Sequence, residues 1–87
     1  MPGAARVGID NAGGVITGNL APTVFVNGAP IAVVGADVAG HGVGAHAGPA
    51  MVTGSATVFA QGKPVCRAGD LANCTHQATG SPNVLVG

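Results

Sequence analysis

Five side chains in this sequence could hold a soft or borderline metal ion: His41, His46, Cys66, Cys74 and His76. Imidazole nitrogen and thiolate sulfur suit the same ions, and four such donors make a closed tetrahedral set. Asp37 stands four residues before His41, and Asp70 four residues before Cys74, so His41 and Cys74 fall at related places. Each is followed by another donor, His46 five residues on and His76 two residues on. The spacing therefore selects His41, His46, Cys74 and His76 as a Cys-His₃ set for Zn²⁺. In an extended segment, residues two apart face the same side, which would aim Cys74 and His76 at one ion. Gly40, Gly42 and Gly44 predict a loop able to approach that ion closely. Gly14 stands at the equivalent place after Asp10, so that segment is expected to supply no ligand.

The same residues admit other readings. Isolated histidines are most often surface or hydrogen-bonded side chains, and two cysteines are compatible with a Cys66–Cys74 disulfide. Cys66, however, sits mid-strand where a related segment carries Ala32, which marks it as a small core residue. Catalytic zinc keeps one coordination position open for water, usually with a general base nearby. Here four protein ligands are available and the sequence has no Glu. Asp10, Asp37 and Asp70 each read as turn residues close behind a glycine. The expectation is a closed structural site and no enzyme activity, with a small zinc hydrolase as the competing class.

The elements that must position these ligands show themselves as a repeat. Thr23-Val-Phe-Val-Asn-Gly-Ala-Pro30 returns 34 residues later as Thr57-Val-Phe-Ala-Gln-Gly-Lys-Pro64, and Asn83-Val-Leu-Val-Gly87 is a shorter third copy. Such self-similarity marks a fold built from small repeated units. Recurrent glycine and alternating apolar positions argue against helix. Strands are predicted at Val15–Thr17, Thr23–Asn27, Ile31–Val34, Met51–Thr53, Thr57–Ala60, Val65–Arg67 and Asn83–Val86. Asn27-Gly28 and Gln61-Gly62 are hairpin turn signals. Alternation places Phe25, Phe59 and Leu85 on one face and their valine neighbours on the other. The third unit lacks its returning strand at the C-terminus, and Pro2–Asp10 supplies it. The expectation is an all-β body of three hairpin-like units, the third shared by the two termini, with approximate three-fold symmetry and a narrowing, conical shape.

Composition bounds the rest. The 87 residues, with 16 Gly, no Trp or Tyr and two Phe, make a single domain (1–87) near the lower limit for a self-sufficient core. Such a chain tends to need a staple, such as a metal, a disulfide or a partner surface. Formal net charge is zero, with three basic residues, which leaves no electrostatic footprint for nucleic acid. No apolar stretch approaches the length of a membrane span, and the N-terminus lacks the pattern of a secretory signal.

Taken together, Pro2-Gly-Ala-Ala-Arg-Val-Gly8, Asn27-Gly-Ala-Pro30, Gly54-Ser55, Gly62-Lys-Pro-Val-Cys-Arg-Ala-Gly-Asp70 and Gly80-Ser-Pro-Asn-Val84 resemble the PAAR-repeat proteins. The resemblance spans essentially the whole chain. It departs at Gly3, inserted in the first motif, at Val33, where Arg is usual, and at Cys66. It implies a conical PAAR domain with a metal ion near its tip, held here by His41, His46, Cys74 and His76. It implies a structural protein that caps the blunt end of a trimeric β-helical spike, the VgrG protein of type VI secretion systems or the central spike of contractile phage tails. The tip sharpens the spike for membrane piercing, so contact with the target membrane is transient. The protein would stay cytoplasmic until a contractile machine fires it outward, or belong to a virion tail tip. An adaptor module recruiting effector cargo to the spike is the alternative, with secreted effectors as further partners.

Overall fold

The two copies of the repeat fold as matched antiparallel hairpins in the computed structural model, which covers residues 1–87. Strands β1 (Phe25–Val26) and β2 (Ala29–Pro30) form the first, and β3 (Phe59–Ala60) and β4 (Lys63–Pro64) the second. The partners are Phe25 with Pro30 and Phe59 with Pro64. Both turns need two consecutive left-handed residues, and Asn27, Gly28, Gln61 and Gly62 have φ of 53°, 82°, 50° and 80°. That is the type I′ geometry whose twist matches a hairpin.

The third hairpin is assembled from the chain ends. Gly3 bridges Leu85 as Pro30 bridges Phe25. The Ala4 N–H donates to the Val84 carbonyl, as Ile31 does to Val24 and Val65 to Val58. Val86 in turn donates to Pro2, so the termini lie side by side as the split repeat predicted.

Past the hairpins the three returning segments close on one another. Ala32 N–H donates to Ala5, Ala5 to Cys66 and Cys66 to Ala32, at 2.9–3.0 Å. A second ring runs Val7 to Pro30, Val34 to Pro64 and Ala68 to Gly3. Within these rings every segment is paired on both sides, so no strand edge is left there to recruit another chain. Ala5, Ala32 and Cys66 are fully buried at this level, where three backbones meet and only small side chains fit. Two core clusters flank it. One, with Val26, Ile31, Val33, Ala60, Val65 and Val86, lies under the hairpins. The other runs from Ala5, Ala32 and Cys66 through Ile16 and Met51 to Cys74.

The predicted strands are shorter in the structure than in the sequence reading. Beyond the four two-residue strands, pairing occurs as single bridges, among them Ile16–Val38, Val33–Val65 and Met51–Ala72. In a three-sided body each segment meets one neighbour and then the next, so a partner lasts only a residue or two. A single 3₁₀ turn at Gly44–His46 is the one helical element.

The aspartates depart from the turn reading. Gly8, Gly35 and Gly69 carry the positive φ, and no aspartate is left-handed. Asp10 and Asp70 are instead buried ion-pair partners, with Arg6 Nε 2.7 Å and Arg67 Nε 2.9 Å from their carboxylates. Each also accepts a threonine hydroxyl from another segment, Thr79 on Asp10 and Thr53 on Asp70. Equivalent backbone bonds, Asp10 to Arg6, Asp70 to Arg67 and Ala36 to Val33, show that Ala36 stands where the other units have aspartate. The middle unit thus replaces the arginine–aspartate pair by buried Val33 and Ala36, and Asp37 is exposed one residue later. Gly18 takes the threonine's place there: a Cβ would lie 2.3 Å from the Asp37 nitrogen.

Candidate metal centre

Beyond the core, each unit makes a loop closed by a backbone hydrogen bond: Ala12 to Gly14, Val38 to Pro49, and Ala72 to His76. The loops differ in length, and Gly14 answers to His76 in this pattern, not to His41 or Cys74. The longest loop holds His41 and His46, tied by the His41 N–H donating to the His46 carbonyl at 2.8 Å. Its glycines serve the loop itself: a Cβ on Gly40 would lie 2.3 Å from the Ala47 carbonyl oxygen and one on Gly42 3.0 Å from His46 Cβ. Asn73 joins the next loop to this one, donating its N–H to the Ala50 carbonyl and accepting the Ala50 N–H on its side chain.

That next loop carries Cys74 and His76 in a turn, where an extended segment was expected. Thr75 between them has φ of 72°, a left-handed conformation that is an outlier for a β-branched residue. The reversal at Thr75, flanked by the Leu71–Gln77 bridge, brings Cys Sγ and His Nδ1 together at 3.7 Å. Strain of this kind persists where the surroundings over-determine it.

The four selected side chains do converge, with one donor atom from each lying within 4.8 Å of all the others. His41 Nε2 is 2.9 Å from His76 Nδ1, 3.2 Å from His46 Nδ1 and 3.6 Å from Cys74 Sγ. For metal bonds of about 2.0–2.1 Å to nitrogen and about 2.3 Å to sulfur, tetrahedral edges are about 3.3 Å between nitrogens and about 3.6 Å from nitrogen to sulfur. Four of the separations, 2.9–3.7 Å, lie close to those edges, and the remaining pairs stay within 4.8 Å. One proton between two nitrogens serves two of these donors, whereas a cation at the centre serves all four.

The neighbours fit the same role. His41 Nδ1 lies 3.0 Å from the Ala39 carbonyl, a partner that keeps the proton on Nδ1 and frees Nε2 for an ion. Cys74 is buried in the core, whereas His41 and His46 are half-buried and His76 is exposed. The thiol anchors the cage to the protein interior and the imidazoles close it from outside. Cys66 plays no part. Both cysteines are free, and Cys66 Sγ sits 3.6 Å from the Thr53 carbonyl. Burial, aided by the Asp70 charge and opposed by Arg67, pushes its thiol up to about 12.

Sequence reasoning singled out the four side chains that converge and missed what shapes their surroundings. Thr75 gave no signal, because nothing in a threonine announces positive φ. The third unit's contribution was hidden in a common doublet, Gly13-Gly14. Gly13 has φ of 87°, and a Cβ there would stand 2.0 Å from His76 Nδ1 and 2.6 Å from His41 Nε2. The ion pairs had a legible signal in Arg6 with Asp10 and Arg67 with Asp70, against Val33 in the middle unit.

A search among curated proteins finds no match to the chain. Against known families, the PAAR motif matches twice, over residues 9–74 and 39–87. The two matches overlap, as expected when consecutive units are related by the repeat. Together they span residues 9–87, taking in the hairpins at 25–30 and 59–64 and all four converging side chains, and this chain belongs to the PAAR-motif family.

Proposed function

We propose that this protein is the tip of a contractile piercing machine, a single chain that caps the blunt end of a trimeric β-helical spike. One observation carries the reading. Phe25, Phe59 and Leu85 occupy the same register position in the three hairpins, and all are exposed, at 59%, 56% and 53%. Three matched apolar side chains on one chain suit the three equivalent subunit ends of a trimer. Exposed apolar side chains clustered in this way mark a surface that a partner would cover. The partner would be a VgrG-like or phage-type spike protein.

The converging donors would hold zinc, whose preference for imidazole and thiolate in a closed tetrahedron suits this set. His41 and His46 come from one unit's loop and Cys74 and His76 from the next, so the ion would tie two units at the end opposite the hairpins. Its role would be rigidity under load, without turnover.

Mixing this chain with a candidate trimeric spike protein and measuring mass by light scattering tests the reading. The expected complex holds one copy of this chain per trimer. A Phe25→Ser/Phe59→Ser variant should bind at least about tenfold more weakly, at about 1.4 kcal/mol per tenfold, while keeping its thermal midpoint and metal content. Three copies per trimer, or unchanged affinity in that variant, would overturn the proposal.

A further inference from the structure

The pseudo-three-fold pattern leaves one unit facing the metal cage without a donor, and Gly13 is the residue it presents there. The histidine atoms nearest to a Cβ on Gly13 are His76 Nδ1 at 2.0 Å, His41 Nε2 at 2.6 Å and His41 Cε1 at 2.8 Å. Two of these are ligating nitrogens. Real Cβ atoms essentially never come within 3.0 Å of such neighbours, so any side chain there requires both rings to turn away. The rings are the movable ends of side chains, so the fold can survive that displacement, but a tetrahedral donor set cannot.

Gly14 differs. A Cβ there meets the Ala39 carbonyl oxygen at 2.2 Å, which is backbone and cannot swing aside. Gly8 offers the complementary control. Its φ of 81° is close to the 87° of Gly13, yet a Cβ there meets nothing within 4 Å. A substitution at Gly8 therefore incurs the left-handed backbone strain alone, and one at Gly13 adds the collision with the ligands.

We infer that Gly13 is a positioning residue for the metal: the third unit contributes space where the other two contribute donors, and that space decides whether the ion is held. The inference rests on the proposed metal-binding reading and adds to it a residue that touches no ion. Gly13→Ala is expected to weaken binding by about 10–100-fold, the range seen when residues supporting metal ligands are changed, with all four donors still in the chain.

The experiment compares the wild type, Gly13→Ala and Gly8→Ala. Each is titrated with Co²⁺, read by the thiolate-to-cobalt charge-transfer and visible ligand-field bands, and then with Zn²⁺ in competition. Backbone amide spectra of the metal-free proteins, compared with the metal-free wild type, establish folding, and Cys74→Ser gives the cobalt spectrum of a chain that lacks a donor. The expected result is a tetrahedral cobalt spectrum in the wild type and in Gly8→Ala. In Gly13→Ala the spectrum should be lost or displaced, while the amide spectrum matches that of the metal-free wild type. A wild-type spectrum and affinity in Gly13→Ala would overturn the role of Gly13 and leave the metal site standing. Equal loss in Gly8→Ala would overturn it too, by assigning the effect to backbone strain. Failure of the wild type to bind either ion would overturn the metal reading itself.

Discussion

The two ends of this molecule treat its three-fold pattern differently. At the hairpin end all three units obey it: the same hydrogen bonds recur and Phe25, Phe59 and Leu85 share one register. At the loop end the pattern breaks. Two units supply two donors each, and the third supplies Gly13. On the proposed reading, the difference follows from what each end would meet. A three-fold partner can use three equal contacts, whereas one tetrahedral ion needs four donors, which three equal loops cannot divide evenly. Symmetry would then be kept where repetition is useful and given up where coordination number forbids it.

The strongest way to break the comparison is at the loop end. Structural zinc in small domains contributes about 10–16 kcal/mol of apparent binding energy, and this core holds no aromatic side chain, since both phenylalanines are exposed. Replacement Cys74→Ser, or removal of metal by a chelator, should therefore give the largest loss of stability. Amide hydrogen exchange should show protection lost first around residues 39–47 and 72–78. Uniform loss across the hairpins as well would mean that the two ends unfold as one unit.

A smaller effect tests the middle, where the units also differ. Asp70→Ala removes the carboxylate that pairs with the Arg67 guanidinium and accepts the Thr53 hydroxyl, and should cost about 1–3 kcal/mol in denaturant unfolding. The double change Arg67→Val/Asp70→Ala copies what the middle unit already has at Val33 and Ala36. It should recover most of that loss, because apolar replacement of a buried pair is often close to neutral. If the double variant is no better than the single one, Val33 and Ala36 depend on their own surroundings.

Acid provides the mildest probe of the same pairs. Burial alone would raise the Asp10 and Asp70 carboxyls. Hydrogen bonds from Arg6 and Thr79 to Asp10, and from Arg67 and Thr53 to Asp70, together with the arginine charges, outweigh it and hold both below the usual carboxylate range. A folded-state value below the unfolded one contributes stability that is present above the unfolded value of about 3.9 and lost as pH falls through the folded value. Metal-free protein should thus lose stability progressively below about pH 4. Arg67→Val/Asp70→Ala should lose less, about half the carboxylate contribution. An identical acid limb in the two proteins would show that these pairs are not its source.

The sequence by itself determined the repeat, the split third unit, the hairpin turns at Asn27-Gly28 and Gln61-Gly62, and the four side chains that converge. These are local or periodic features, carried by residue types whose backbone or ligand chemistry is distinctive. Only the tertiary structure decided the rest. The role of Asp10 and Asp70 depends on arginines three or four residues away and on threonines from other segments. Local turn chemistry could not reveal those partners. The shift from Asp37 to Ala36 appears only when backbone hydrogen bonds define equivalence. The convergence of Cys74 and His76 comes from a left-handed Thr75, a conformation imposed by the surrounding loop and not by threonine's own preference. The role of Gly13 is the absence of a side chain beside two rings that are 28 and 63 positions away in the chain. A glycine's own letter says that it is small, and only the packed structure says what it makes room for.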